Sequence, residues 1–184
     1  MMIAFVVLST SCGTDFKSAP KTLGVKPQDF DKRFIANVNV LAKSTGIDEQ
    51  ATTIGEPSIT SNLSEKIILY RLDEHLFLTE VVDDKTAELK SVSIDCINGD
   101  LAEKMTAETA YVAAIKAINP ALKGSDFKKL QDEFFAEGGN EDKTWIEHKG
   151  VYYLKSEKGL TVTFGIFAGH NIFEEYQIKH RKIA

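Results

Sequence analysis

The chain switches between stretches whose apolar residues recur every three to four positions and stretches where they recur every two. After Pro27, Phe30, Phe34, Val38 and Leu41 follow at helical spacing, with Ile35 and Ala42 widening the stripe. This pattern predicts an amphipathic helix beginning at Pro27, with Gly46 as its stop. A loop over 47–62 contains Gly55-Glu56-Pro57, with a short strand around Ile59 (58–61) inside it. Three further strands are expected at 66–72, 76–82 and 88–97. Asp73-Glu74 and Asp83-Asp84-Lys85-Thr86 separate them and have turn chemistry. Connections this short favour an antiparallel meander.

Asn98-Gly99-Asp100 interrupts the strands. A second helix is expected over 107–119, with Thr106 as N-cap, an apolar face of Ala110, Tyr111, Ala114, Ile115 and Ile118, and Pro120 as terminator. A third is expected over 126–137, capped by Ser125, with Phe127, Leu130 and Phe134 on one face and Gly138-Gly139 at its end. Strands return at 143–148, 151–157 and 160–168, with turns at Lys149-Gly150 and Lys158-Gly159. In the last of them Leu160, Val162, Phe164 and Ile166 face one way and Thr161 and Thr163 the other. The tail, 171–183, suits a short helix.

The order is helix, meander, helix pair, meander. It predicts an α+β fold in which antiparallel meanders pack against helices. Residues 78–94 (LTEVVDDKTAELKSVSI) echo 153–166 (YLKSEKGLTVTFGI), a pattern expected of a duplicated unit. The arrangement broadly resembles small envelope proteins with helix pairs and short meanders, such as the beta-lactamase-inhibitor type. That resemblance rests on pattern, with no shared residue motif.

With 184 residues, 43% of them hydrophobic, the chain can bury a sizeable core without metals or disulfides. A net charge of −5 argues against nucleic-acid binding by bulk charge. No run of about 18 apolar residues occurs, so no transmembrane helix is expected.

The first residues add a location. Met1 to Leu8 are apolar and uncharged, and Ser9-Thr10-Ser11 leads to Cys12. An apolar run followed by small residues is the pattern of a secretory signal. With a cysteine directly after it, the segment resembles the lipobox of bacterial lipoprotein precursors, although Ser9 stands where Leu is usual and no basic residue precedes the apolar run. The resemblance covers the first 12 residues. It implies a signal peptide over 1–11, lipidation of Cys12 and membrane attachment through that lipid. Gly13 rather than Asp follows the cysteine, which in the bacterial sorting rule favours the outer membrane of a Gram-negative host. Residues 12–28 are small, Lys- and Pro-containing and aperiodic, as expected of a flexible tether, which leaves 29–184 as one globular domain.

Little in the chain announces chemistry. Once Cys12 is acylated, Cys96 has no partner, and with Val92 and Ile94 it alternates onto an apolar strand face, as a buried inert thiol would. His75, His148, His170 and His180 show no metal-ligand spacing. Asp95 and Asn98 precede Gly99 at the wrong interval for a calcium loop. Asp29 and Asp31 suit the positive end of the first helix. Asp83-Asp84 and Glu174-Glu175 are sequence neighbours, which seldom face each other across a substrate. Lys179–Lys182 is short for a lipid-binding patch. We therefore expect no catalytic residue, no metal and no cofactor. Trp145, Tyr152, Tyr153 and Phe167 form the best candidate binding face, because aromatics anchor interfaces. Tyr152 and Tyr153 are adjacent in a strand, so they must point to opposite faces. The expected function is a tethered envelope domain that binds a protein or another envelope component, with inhibitor and immunity proteins within that class. The rival is a periplasmic enzyme whose site gathers distant residues around His148 or His170.

Overall fold

The computed structural model describes residues 20–45, 54–62, 64–122, 124–135 and 143–181. Four helices and one seven-stranded antiparallel sheet make an α+β fold. The elements run α1 (Pro27–Thr45), β1 (Ser58–Ser61), β2 (Glu65–Arg71), β3 (Leu76–Asp83), β4 (Leu89–Cys96), α2 (Leu101–Ile118), α3 (Gly124–Phe135), β5 (Lys143–His148), β6 (Val151–Lys158), β7 (Thr161–Ala168) and α4 (Gly169–Arg181). Cys12, the signal segment, Gly46 and Gly138-Gly139 lie outside the described residues.

The strand order is β1-β2-β3-β4-β7-β6-β5. Two meanders thus meet at one seam, β4 against β7, with Ser93 opposite Gly165, Val92 opposite Ile166 and Ile94 opposite Phe164. The sequence echo falls on matching positions of the two hairpins. Leu78 pairs with Ile94 across β3–β4, and Tyr153 pairs with Ile166 across β6–β7. The first meander has four strands and the second three, so the two halves match over the inner hairpins and differ at the edge.

One face of the sheet carries the main core. Leu76, Leu78 and Val82 of β3, Val92, Ile94 and Cys96 of β4, and Val162, Phe164 and Ile166 of β7 are all buried on it. Helices α1 and α2 lie over this face. Phe30, Phe34 and Val38 supply the stripe of α1, as their spacing predicts. Helix α2 is buried by Ala107, Ala110, Ala113, Ala114 and Ala117, and these small side chains let it pack closely against both α1 and the sheet. Two polar side chains of α1 reach carbonyls of α2: Arg33 Nη1 donates to Ala117 O at 3.3 Å, and Asn37 Nδ2 donates to Ala113 O at 3.2 Å.

The expected start of α2 is corrected. The helix begins six residues before Ala107, at Leu101, and Asp100 rather than Thr106 is its N-cap. Asp100 accepts from the Glu103 amide at 2.9 Å, and the Glu103 carboxylate accepts from the Asp100 amide at 2.7 Å. This reciprocal capping box satisfies two backbone donors at once, whereas Thr106 Oγ1 is spent on the Ala102 carbonyl inside the helix. Gly99, just before it, is required by packing, since a Cβ there would lie 2.2 Å from Cys96 Sγ.

The end of the expected tether over 12–28 is also corrected. Val25 is buried, Leu23 donates to Leu89 O at 2.6 Å, and Leu89 donates to Val25 O at 2.9 Å. Pro20 lies over the β5–β6 turn, where a Cβ on Gly150 would meet its Cδ at 2.6 Å. Residues from Pro20 onward therefore belong to the folded body. They cover the start of β4, which extends beyond the segment paired with β7.

Gly165 sits at the seam. A Cβ there would lie 2.4 Å from the Phe167 ring, and that ring is held in place by Phe173 and Tyr176 at 5.6 and 4.7 Å between centroids. Its carbonyl accepts the buried Tyr111 hydroxyl of α2 at 3.2 Å. Gly165→Ala is expected to cost about 1–3 kcal/mol, the usual range for overpacking a core. Ala at Gly124, where no neighbour lies within 4 Å and the residue is helical, should be neutral or slightly stabilising. Chemical denaturation of the two variants checks this, and equal stabilities would contradict it.

Candidate functional site

The second face of the sheet is only partly covered. At Gly169 the backbone turns with φ +76°, its amide donates to Gly150 O at 2.8 Å, and the chain folds back as α4 across β6 and β7. Phe173 of α4 enters a second small core with Leu154 and Phe167, flanked by Tyr152, Ile172 and Tyr176. Ring contacts order this cluster: Tyr152 stacks on Phe173 at 5.1 Å, and Trp145 lies tilted 5.4 Å from Phe173 and 5.8 Å from Tyr152. His170 adds an edge at 5.5 Å from Tyr152 and pairs with Glu174 at 3.0 Å, one helical turn on.

This arrangement divides the four aromatic residues singled out in the sequence. Tyr153 points into the main core and Phe167 into the second, and both are 1% exposed, so neither presents a surface. Tyr152 is half-buried beneath α4. Trp145 remains 51% exposed at the flank of the helix. Adjacent tyrosines do point to opposite faces, as strand geometry demands. Burial of Phe167 follows from α4, which covers both β6 and β7.

On the other flank of α4 the sheet lies open. A groove of about 260 Å³ runs between the helix and β2–β4, lined by Ile67, Thr79, Val81, Ser93, Asp95 and Tyr176. Beside it Leu69 is 38% exposed. Asp95 accepts from Thr163 Oγ1 at 2.6 Å and from Ser93 Oγ at 3.1 Å. Burial, then the nearby Asp95 charge, holds the Tyr176 phenol protonated well above its ordinary range. At one end of the groove Lys90 pairs with Glu65.

The main-core face contains a feature the sequence analysis missed. Glu80 is 0% exposed, and neither of its carboxyl oxygens meets a hydrogen-bond partner. Its neighbour is Asp31 of α1, whose Oδ1 is also buried without a partner and whose Oδ2 accepts the Tyr70 hydroxyl at 3.0 Å. A fully buried carboxylate with no cation beside it is costly, so the enclosed Glu80 favours its protonated form. Burial first, then the adjacent Asp31 carboxyl, push the Glu80 carboxyl up to about 9. A signal was present in the sequence. Leu76, Leu78, Glu80 and Val82 alternate on one strand face, so Glu80 is a charge on a core position. Asp31 falls within the Phe30–Phe34 stripe for the same reason.

The remaining candidates do not converge. Cys96 is buried and unpaired, and burial, followed by Glu103, raises its thiol against ionisation. His148 stands at the end of β5 on the side of Ile146, with Nε2 buried and unpartnered, whereas His170 opens α4 across the sheet. Among the described residues no group of three His, Cys, Asp or Glu side chains could hold a metal ion, and no helix is long and apolar enough to cross a membrane. Comparison with protein-family profiles, with curated proteins and with solved structures gives no match.

The carboxyl pair makes stability depend on pH. The unfolded chain releases the Glu80 proton at the ordinary value of 4.5, and the folded protein keeps it to about 9. Folding is therefore favoured by this group below the lower value, and the contribution is lost as pH rises toward the upper one. Glu80→Gln, which keeps the shape and cannot ionise, should flatten that decline and gain about 1–3 kcal/mol at alkaline pH. Denaturation midpoints of wild type and variant across the window test this, and parallel pH curves would refute it.

Proposed function

We propose that this chain is a lipid-anchored, non-enzymatic domain of a bacterial cell envelope that holds a protein partner on the second face of its sheet. The observation that carries the reading is the partial cover of that face. Helix α4 protects β6 and β7, leaving exposed Trp145 on one flank and the groove with Ile67 and Val81 on the other. Exposed aromatic and aliphatic side chains beside a rigid element are what interface anchors require. Cys12 and the polar residues after it support attachment through lipid, which holds such a domain close to envelope partners. With Gly13 following the cysteine, the outer membrane is the favoured location in a Gram-negative host.

The two halves of the reading are tested separately. Cells given a labelled fatty acid should label the wild type and leave Cys12→Ala unlabelled; label retained by the variant removes the anchor. For the face, a photo-crosslinking amino acid is placed at Trp145, at Val81 or at Met105, an exposed residue of α2 on the opposite side. A discrete adduct is expected from Trp145 and Val81 and none from Met105. Equal labelling at all three, or none at any, rejects the binding face.

A further inference from the structure

A second cavity, of about 420 Å³, lies on the other side of the sheet, where the first turn of α1 overhangs β1, β2 and the β3–β4 turn. Its size falls within the range of small-ligand sites. Its wall is apolar: Ile59, Ile68, Val82 and Ala87, closed by Pro27 and Pro57. Strand register explains this composition. Ile59 pairs with Ile68, and Lys66 pairs with Val82, so these side chains share one face. They lie where the helical cover of that face runs out, which leaves Ile59 54% exposed.

The polar groups on the lining divide by whether they are already engaged. Asp83 Oδ1 accepts the amides of Lys85 and Thr86 at 3.0 and 2.9 Å and the Thr86 hydroxyl at 3.2 Å. These bonds hold its carboxylate below the ordinary range and tie it to its own turn. Asp31 is engaged by Tyr70 and faces Glu80. Asp84 is exposed at the rim. Lys26 and Lys66 also line the cavity, and their ammonium groups form no ion pair or hydrogen bond among the described residues; Lys66 is half-buried. The positive end of the 19-residue helix α1 points to the same place.

From this arrangement we infer that the cavity binds a small amphiphilic anion, a carboxylate on a short apolar chain. The chain lies against Ile59, Ile68 and Val82, and the carboxylate meets the ammonium of Lys66, with Lys26 at the mouth. A half-buried ammonium gains more from such a partner than an exposed one, because less water competes. Asp31 Oδ2 is taken by the Tyr70 hydroxyl and its Oδ1 is buried, and Asp83 Oδ1 is held by its own turn. The inference does not depend on the second-face reading, since the two sites lie on opposite sides of the sheet.

Titrating the purified full chain with hexanoate, hexylamine or hexanol, followed by amide NMR shifts, tests it. Saturable shifts with hexanoate are expected, confined to Lys66, Ile68, Val82 and Ala87. Lys66→Gln should weaken hexanoate about tenfold, as loss of one charge-assisted hydrogen bond does, with Lys26→Gln weakening it less and neither changing the thermal midpoint. Hexylamine binding as well as hexanoate, hexanol matching hexanoate, shifts mapping to the α4 groove, no saturation, or undiminished affinity in Lys66→Gln would each overturn the proposal.

Discussion

Backbone pairing between β4 and β7 joins two meanders that would otherwise each end in an open edge. Six positions from Ser91 to Cys96 face Phe167 to Val162, and nearly everything else is placed relative to them. The main core is deepest over this seam, where Val92, Ile94, Phe164 and Ile166 lie beneath α2. On the reverse side the same seam carries Gly165 with the Phe167 ring folded over it, and α4 settles on that ring. A glycine in a central strand ordinarily weakens it. Here its missing side chain is the space an aromatic ring fills, and its carbonyl receives the Tyr111 hydroxyl from α2. One residue thus sets the spacing of a helix on each face.

The two faces differ because of what covers them. Helices α1 and α2, joined by Arg33 and Asn37 reaching across, cover the first face together with α3 beside β5 and leave its β1–β2 corner open. A single helix covers the second face, so its flanks remain open. Cover runs out at the corner cavity under α1 and at the flanks of α4, where ligands or partners could be held. Both follow from counting helices against a seven-stranded sheet, which α1, α2 and α3 on one side and α4 on the other do not cover completely.

Within the first face, Asp31 and Glu80 are a local cost. Burying the Glu80 carboxyl without a counter-charge is unfavourable, and it is met by holding its proton, while Tyr70 donates to the neighbouring Asp31. The pair also ties α1 to β2 and β3 beside the corner cavity. Glu157 is the contrasting case: a hydrogen bond and charge from Lys104 at 2.7 Å outweigh partial burial and lower its carboxyl. Burial decides the outcome at Glu80, and a cationic partner decides it at Glu157.

Periodicity alone determined most of the architecture. The stripe of Phe30, Phe34 and Val38, the alternation in β3 and β7, and the short polar turns specified the helices, the strands and their antiparallel sense, because those properties depend on residues close in sequence. The likeness between 78–94 and 153–166 even marked matching positions in two hairpins. Sequence did not reveal which strands meet at the seam, that α4 would bury Phe167, or that the segment from Pro20 packs on the sheet, since each depends on residues far apart in the chain. The start of α2 was legible in Asp100 and Glu103, but Thr106 offered a rival cap, and only folding decided between them. Glu80 was visible as a charge on an apolar face. Its meaning came from tertiary structure, which placed Asp31 beside it and excluded the water that the Glu80 carboxylate would need.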